Sequence, residues 1–275
     1  MKTKMYQEEE FLHPETEVDL ETRTYFSDRE YPTIVLSVGL GGSAGQDSSV
    51  YNLTSRLVNS GYQVKVFSPR NSGRSTGHLT IDNYIFDNEL VLEDTAQKNG
   101  ELAYAMGHSL GGYSLARILD KGSLAKRAVL LAPLVDIKEQ NPEIFKLLKN
   151  KNMKRMAAHM LELIGLDSQR FSHVEDAQTF LDSLEKASPC NSQLSVPTYI
   201  LLVGKSNTGF EIKNLDQLRQ HWERLQTKES EIEIYPELDH YFAEQNLPNR
   251  KNFFRNSRHT RKILDHIDNF LRQVI

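Results

Sequence analysis

Six short, largely apolar runs recur along this chain, at residues 33–38, 63–67, 101–106, 127–132, 197–203 and 231–235, and segments of helical spacing separate most of them. A strand that is apolar on both faces needs cover on both. Strands that alternate with helices join side by side in parallel, because a parallel crossover takes a dozen or more residues. Helices are expected at 48–59, 84–98, 109–120 and 215–227, with a closing helix whose Ile263, Leu264, Ile267, Phe270 and Leu271 share one face. The pattern predicts an α/β fold with a mostly parallel central sheet flanked by helices.

Two stretches depart from that rhythm. Residues 1–31 hold nine acids and four Lys/Arg, and from Val18 they alternate, which predicts an edge strand with one wet face. Residues 136–189 are amphipathic and helical with no convincing strand, so they predict a cap inserted into the core. With no repeat and no Pro/Gly-rich linker, the expected organisation is one domain: a core of 1–135 and 190–275 and a cap of 136–189.

Composition removes several functions. Lys and Arg number 33 against 37 Asp and Glu, a net charge of -4, so no global basic field points to nucleic acid. Cys190 is the single cysteine, which excludes an intrachain disulfide and a cysteine zinc cluster and suits a reducing compartment. The longest apolar runs, such as 128–132 and 199–203, fall far short of the ~20 residues of a spanning helix. Glu8-Glu9-Glu10 stands where a signal peptide would be apolar. A cytoplasmic protein without a transmembrane segment is expected.

Chemistry concentrates at Gly107-His108-Ser109-Leu110-Gly111, a G-x-S-x-G sequence. A chain of this size holds about 0.1 such matches by chance, so the weight falls on context. An expected strand precedes it and an expected helix follows, the strand-turn-helix setting of a nucleophile elbow. Small residues on either side permit a turn tight enough to expose Ser109 Oγ at the carboxyl end of the sheet. The helix start then directs backbone N–H groups at a developing oxyanion. The bland alternative is a glycine-rich turn with an ordinary serine.

A serine hydroxyl needs a base. Of nine histidines, His240 fits best, just past the last strand and well downstream of Ser109. His108 belongs to the elbow itself and suits packing. His159 and His173 fall in the cap, and His13, His78, His221, His259 and His266 suit solvated or edge positions.

The whole order resembles the α/β-hydrolase family from about residue 33 to the end, and the cap with Gly-His-Ser-Leu-Gly-Gly is most similar to carboxylesterases and monoacylglycerol lipases. The resemblance implies a serine hydrolase with no cofactor and no metal, acting on a small-molecule or lipid ester. Where the family has His-Gly-x-Gly-Gly, this chain reads Val38-Gly39-Leu40-Gly41-Gly42, so Leu40 and Leu110 are the implied oxyanion N–H donors. Val38 replaces the usual histidine, which alters the support of the hole rather than its donors. Residues 68–75, Ser-Pro-Arg-Asn-Ser-Gly-Arg-Ser, keep only the end of the family's Asp-x-Pro-Gly-x-Gly-x-Ser turn.

The family's acid position is the larger departure. A Gly-x-x-Asp turn is implied there, but the chain has Gly204-Lys205-Ser206-Asn207. Asn207 could orient the histidine without offsetting its charge. Asp136, after the strand at 127–132, lies where some family lipases place theirs, although four residues past a strand is far. Asp239 and Glu211 are poorer. The two candidates stand nearly level, with a lean to Asp136 because a retained elbow, oxyanion loop and histidine still need a carboxylate; a dyad or an inactive site is the remainder.

Other patterns are weaker. Gly39-x-Gly41-x-x-Ala44 also fits a dinucleotide fingerprint, but the second strand ends in Phe67-Ser68-Pro69-Arg70 without the ribose-binding acid. The cap's Met153, Met156 and Met160 form a stripe that could line an acyl pocket, and docking on the core is the preferred reading. Six Lys/Arg and no acid between 245 and 264 usually mean a solvated face; a weak peripheral contact of residues 250–262 with an anionic surface is the alternative. The expected function is cleavage of a carboxylic ester through an acyl-enzyme. An acyltransferase or thioesterase using the same site, or a binding protein with a decayed triad, are the alternatives.

Overall fold

In the computed structural model, residues 4–39, 44, 48–136, 174–205, 215–239, 242 and 258–273 are described. Strand β3, Thr33–Ser37, sits near the middle of an eight-stranded sheet and is buried along its whole length. Alternation then divides its side chains. Ile34 and Leu36 face one core and Val35 the other.

Before β3 come β1, Tyr6–Glu15, and β2, Val18–Phe26. After it follow α1, Ser48–Asn59; β4, Gln63–Phe67; α2, Ile81–Asn99; β5, Tyr104–His108; α3, Leu110–Leu119; and β6, Ala128–Leu131. The remainder is α4, Val174–Lys186; β7, Thr198–Lys205; α5, Leu215–Leu225; β8, Glu231–Asp239; and α6, Arg258–Arg272. The sheet order is β1-β2-β4-β3-β5-β6-β7-β8, parallel from β4 to β8.

Helices α2, α3 and α5 cover one face, where Val91, Leu115 and Trp222 meet Val35, Leu130 and Ile200. Helices α1 and α6 cover the other. The expected apolar stripe of α6 is there: Ile263, Ile267, Phe270 and Leu271 are buried, each worth about 1.5–3 kcal/mol against exposure. Thr80 caps α2 by accepting from Asn83 N at 3.0 Å, and Gly100 at φ 70° ends it.

The N-terminal expectation needs correction. The strand from Val18 is present as β2 but is not the edge, since it pairs antiparallel with β4 on one side and β1 on the other. Nor is its polar face wet throughout, for Glu21 is 1% exposed and its neighbours on that face, Asp19 and Arg23, are half-buried. β1 was hidden by its charges. Glu8, Glu9 and Glu10 alternate along a strand but each meets a cation, Arg29, Arg23 and Arg74, or Lys65 and Lys98, so the acidic run is a paired surface.

Within the expected cap, α4 buries Phe180 and Leu181 in the α2/α3 core, and Ser183 Oγ accepts from Ile81 N at 3.0 Å at the start of α2. Residues 137–173, with the methionine stripe, lie outside the described residues, as does the basic stretch 250–257. Among the described residues no helix is long and apolar enough to cross a membrane.

Candidate active site

β5 delivers its last residue, His108, to Ser109, and α3 begins at once with Leu110. Ser109 has φ 54° and ψ -117°, a conformation an L residue adopts only at a cost of about 1–3 kcal/mol. It is held there from both sides. Its N–H donates to the Leu131 carbonyl at 2.9 Å, and its own carbonyl accepts from Tyr113 N at 3.0 Å.

The glycines explain the turn's tightness. A Cβ on Gly107 would lie 2.6 Å from the Gly111 carbonyl oxygen, and one on Gly112 would lie 2.9 Å from Pro133 Cβ. Gly39, leaving β3, comes so near that its Cβ would sit 3.1 Å from Ser109 Cβ and 3.1 Å from His108 Nδ1. The glycine loop therefore starts against the serine. Leu110, at the first position of α3, carries an N–H without an intrahelical partner, the donor type that an oxyanion takes up.

Buried polar groups pin both flanks of the loop. Tyr84 Oη donates to the Val38 carbonyl before Gly39. At the far flank, Ala44 N donates to Ser68 Oγ at 3.0 Å, and Tyr25 Oη donates to the Ala44 carbonyl at 2.8 Å. Ser68 Oγ in turn donates to Glu21 Oε2 at 2.9 Å. Burial pushes the Glu21 carboxyl up, but the Arg74 N–H, the Ser68 hydroxyl and Arg23 outweigh it and hold its pKa below the ordinary value. Leu40 and residues 41–43 lie outside the described residues.

His240 and Asn207 also lie outside them, but their neighbours do not. Phe242 is buried at φ 58°, and its ring packs edge-on to the His108 ring at 6.0 Å. In the parallel pair β7/β8, Lys205 is in register with Asp239. The chain is thus described to within two residues of Asn207 on one strand and one of His240 on the next. Asp136 is described: it follows Val135, whose carbonyl accepts from Cys190 N at 3.0 Å. Its charge adds to the environment of Tyr113 and Cys190, whose thiol is pushed up to about 12 chiefly by burial. Among the described residues no group of three His, Cys, Asp or Glu is placed to hold a metal ion.

A family model described as serine aminopeptidase, S33, matches residues 31–208, well over half of the chain. The chain belongs to this α/β-hydrolase family. Solved structures agree on the fold across nearly its whole length. The α/β hydrolase GrgF from Penicillium sp. sh18 is 16% identical with a TM-score of 0.69, covering 97% of this chain and 98% of that one. The Pyrococcus furiosus esterase Pf2001 is 17% identical with a TM-score of 0.66, covering 98% and 91%. Alpha/beta hydrolase domain-containing protein 10 from mouse is 14% identical with a TM-score of 0.60, covering 96% and 98%. No curated protein matches the chain.

Sequence reasoning did not single out Glu21, Tyr25 or Tyr84, whose hydrogen bonds lie at the flanks of the glycine loop. Glu21 and Tyr25 lie on a strand read as peripheral, and Tyr84 on a helix read only for its apolar spacing. The turn at 68–75 was the available signal. Asn71 at φ 56° and Gly73 at φ 58° hold two left-handed positions within it, and Ser75 Oγ closes it by donating to the Ser68 carbonyl at 2.7 Å.

Proposed function

We propose that this hydrolase-family protein is a serine hydrolase that cleaves carboxylic esters through an acyl-enzyme. The observation that carries the reading is the strained backbone of Ser109 at a strand-turn-helix junction, with Gly39 packed against it. Strain that the surroundings hold in place suits a nucleophile held clear of the sheet. The fold likeness to a Pyrococcus furiosus esterase supports the choice of bond.

In this reading Ser109 Oγ attacks the acyl carbon while His240 takes its proton, and the Leu40 and Leu110 N–H groups hold the oxyanion. His240 returns the proton to the departing alcohol oxygen. Water then attacks the acyl-enzyme with His240 again as base, releasing the acid and restoring Ser109. Base and oxyanion hole supply about 10²–10⁴ and 10²–10³ respectively. Residues 136–189 act as the cap over a small or lipid ester.

The second reading, a binding protein with a decayed triad, rests on Asn207 at the family's acid position. A fluorophosphonate probe separates the two, because it reacts with an activated serine and needs no known substrate. Labelling of wild type but not of Ser109→Ala is the expected result. An unlabelled wild type, or labelling that persists in Ser109→Ala, would overturn the proposal.

A further inference from the structure

Where β3, α2 and α3 meet, an otherwise apolar core holds four buried polar side chains, Ser37, Tyr84, Asn88 and Ser114. A buried polar group left without a partner costs about 1–3 kcal/mol, so the bonds among these four define a fixed layer. Asn88 spends its whole amide on it. Its Oδ1 accepts from Ser37 Oγ, while its Nδ2 donates to the Tyr84 carbonyl at 2.8 Å and to Ser114 Oγ at 2.9 Å. Ser114 Oγ in turn donates to the Tyr84 carbonyl at 3.3 Å. The Tyr84 hydroxyl goes to the end of β3 instead, donating to the Val38 carbonyl.

That carbonyl stands against the elbow itself. A Cβ on Gly111 would lie 2.9 Å from the Val38 oxygen, and one on Gly39, the other half of the same peptide unit, would lie 3.1 Å from Ser109 Cβ. The paired residues of β3 and β5 end at Ser37 and Gly107, so Val38 lies one step past them. Its side chain is buried in the α1/α6 core, which settles where the residue sits. Apolar packing is non-directional and does not set the rotation of the peptide. A hydrogen bond to the carbonyl does. Burial pushes the Tyr84 phenol above its ordinary pKa, so the hydroxyl keeps its proton and stays a donor.

We propose that Tyr84 is a positioning residue for the nucleophile: through the Val38 carbonyl it fixes the peptide that brings Gly39 against Ser109, and so keeps the strained elbow in its reactive geometry. The inference rests on the ester-hydrolase reading. Without the hydroxyl, the Val38 carbonyl loses its donor in a buried place, and the peptide turns to find another. Gly39 then shifts against Ser109, whose φ of 54° relaxes once the wall beside it gives. A displacement of about 1 Å at a reacting atom is enough to cost about 10²-fold in rate.

The test compares p-nitrophenyl ester hydrolysis and exchange of the Ser109 amide, which donates to the Leu131 carbonyl, in wild type, Tyr84→Phe, Tyr84→Met and Thr95→Val. Tyr84→Phe removes one oxygen and keeps the ring beside Phe67. It is expected to lower kcat about tenfold to a hundredfold while KM stays within about twofold, and to speed Ser109 exchange about fivefold or more. Tyr84→Met loses the hydroxyl by another route and should lose at least as much kcat, so either folded variant decides. Thr95→Val removes a different buried hydroxyl of α2, one that donates to the Val91 carbonyl at 2.6 Å within the helix. A merely structural loss on α2 would show there too, whereas the proposal expects both of its readouts within about twofold of wild type. Wild-type kcat or wild-type Ser109 exchange in a folded Tyr84 variant, a loss in KM alone, or an equal loss in Thr95→Val overturns the proposal. A wild type that hydrolyses no ester overturns the function instead, and exchange at Ser109 then decides the positioning alone.

Discussion

Gly111 meets Ser37 so closely that a Cβ on the glycine would lie 2.2 Å from the Ser37 carbonyl oxygen. That contact seats α3 on β3 and brings the start of the glycine loop to the elbow. Backbone cannot yield as a flexible side chain can, so Gly111→Ala should destabilise by about 3 kcal/mol or more. Gly122, with nothing within 4 Å of its would-be Cβ and no positive φ, gives the contrast. Gly122→Ala should stabilise by about 0.5 kcal/mol through the unfolded chain. Denaturant unfolding of both variants checks the pair.

Arg70 and Asp87 form a buried pair in which Arg70 Nε donates to both carboxylate oxygens, at 3.0 and 3.2 Å, while Nη2 reaches Glu15 at 2.9 Å. Removing one partner leaves a buried charge. Asp87→Ala should therefore cost about 3–5 kcal/mol, and the double variant Arg70→Met/Asp87→Leu clearly less than the sum of its singles. Strict additivity in denaturant unfolding would contradict this.

Glu233 accepts from Tyr199 Oη and Tyr235 Oη, both at 2.8 Å, and contacts His266 Nδ1. Burial raises its pKa, but the two hydroxyls and His266 outweigh it, so the folded value lies below 4.5. A depressed carboxylate contributes stability that is whole above its unfolded pKa and is lost as pH falls through the folded value. Between about pH 5 and pH 3 the wild-type Tm should therefore drop faster than that of Glu233→Gln. Parallel Tm curves would refute it.

What the sequence made legible was whatever follows from period and local spacing. The parallel strands and their helices were readable because most of the strands are largely apolar and alternate with segments of helical spacing, and the elbow because its glycines are demanded within five residues. β1 was not readable. Its glutamates pair with cations supplied by β2, β4, α2 and the loops after β2 and β4, so no local pattern marks it. Glu21 was missed for the same reason, since its partners Ser68 and Arg74 are about fifty residues away. A buried charge looks like a surface one until its partners are placed.

The triad acid is the last question the geometry sharpens. Sequence reasoning leaned to Asp136 because a histidine needs a carboxylate. We propose instead that Asn207 holds that place, because Lys205, two residues before it in sequence, is in register with Asp239, one residue before His240. Asp136 follows Val135, which packs in the α2/α3 core, whereas Phe242 belongs to the opposite core. If Asn207 orients His240, it fixes the ring without stabilising the imidazolium. Asn207→Asp should then raise kcat for an activated ester about tenfold or more, with about 10⁴, the loss seen when a serine protease acid becomes an amide, as the ceiling. Asp136→Asn should stay within about twofold of wild type. The reverse ranking, a loss near 10⁴ in Asp136→Asn with Asn207→Asp silent, would make Asp136 the acid. If both variants are silent, a Ser109–His240 dyad carries the chemistry, and the pH dependence of kcat should then report the histidine alone.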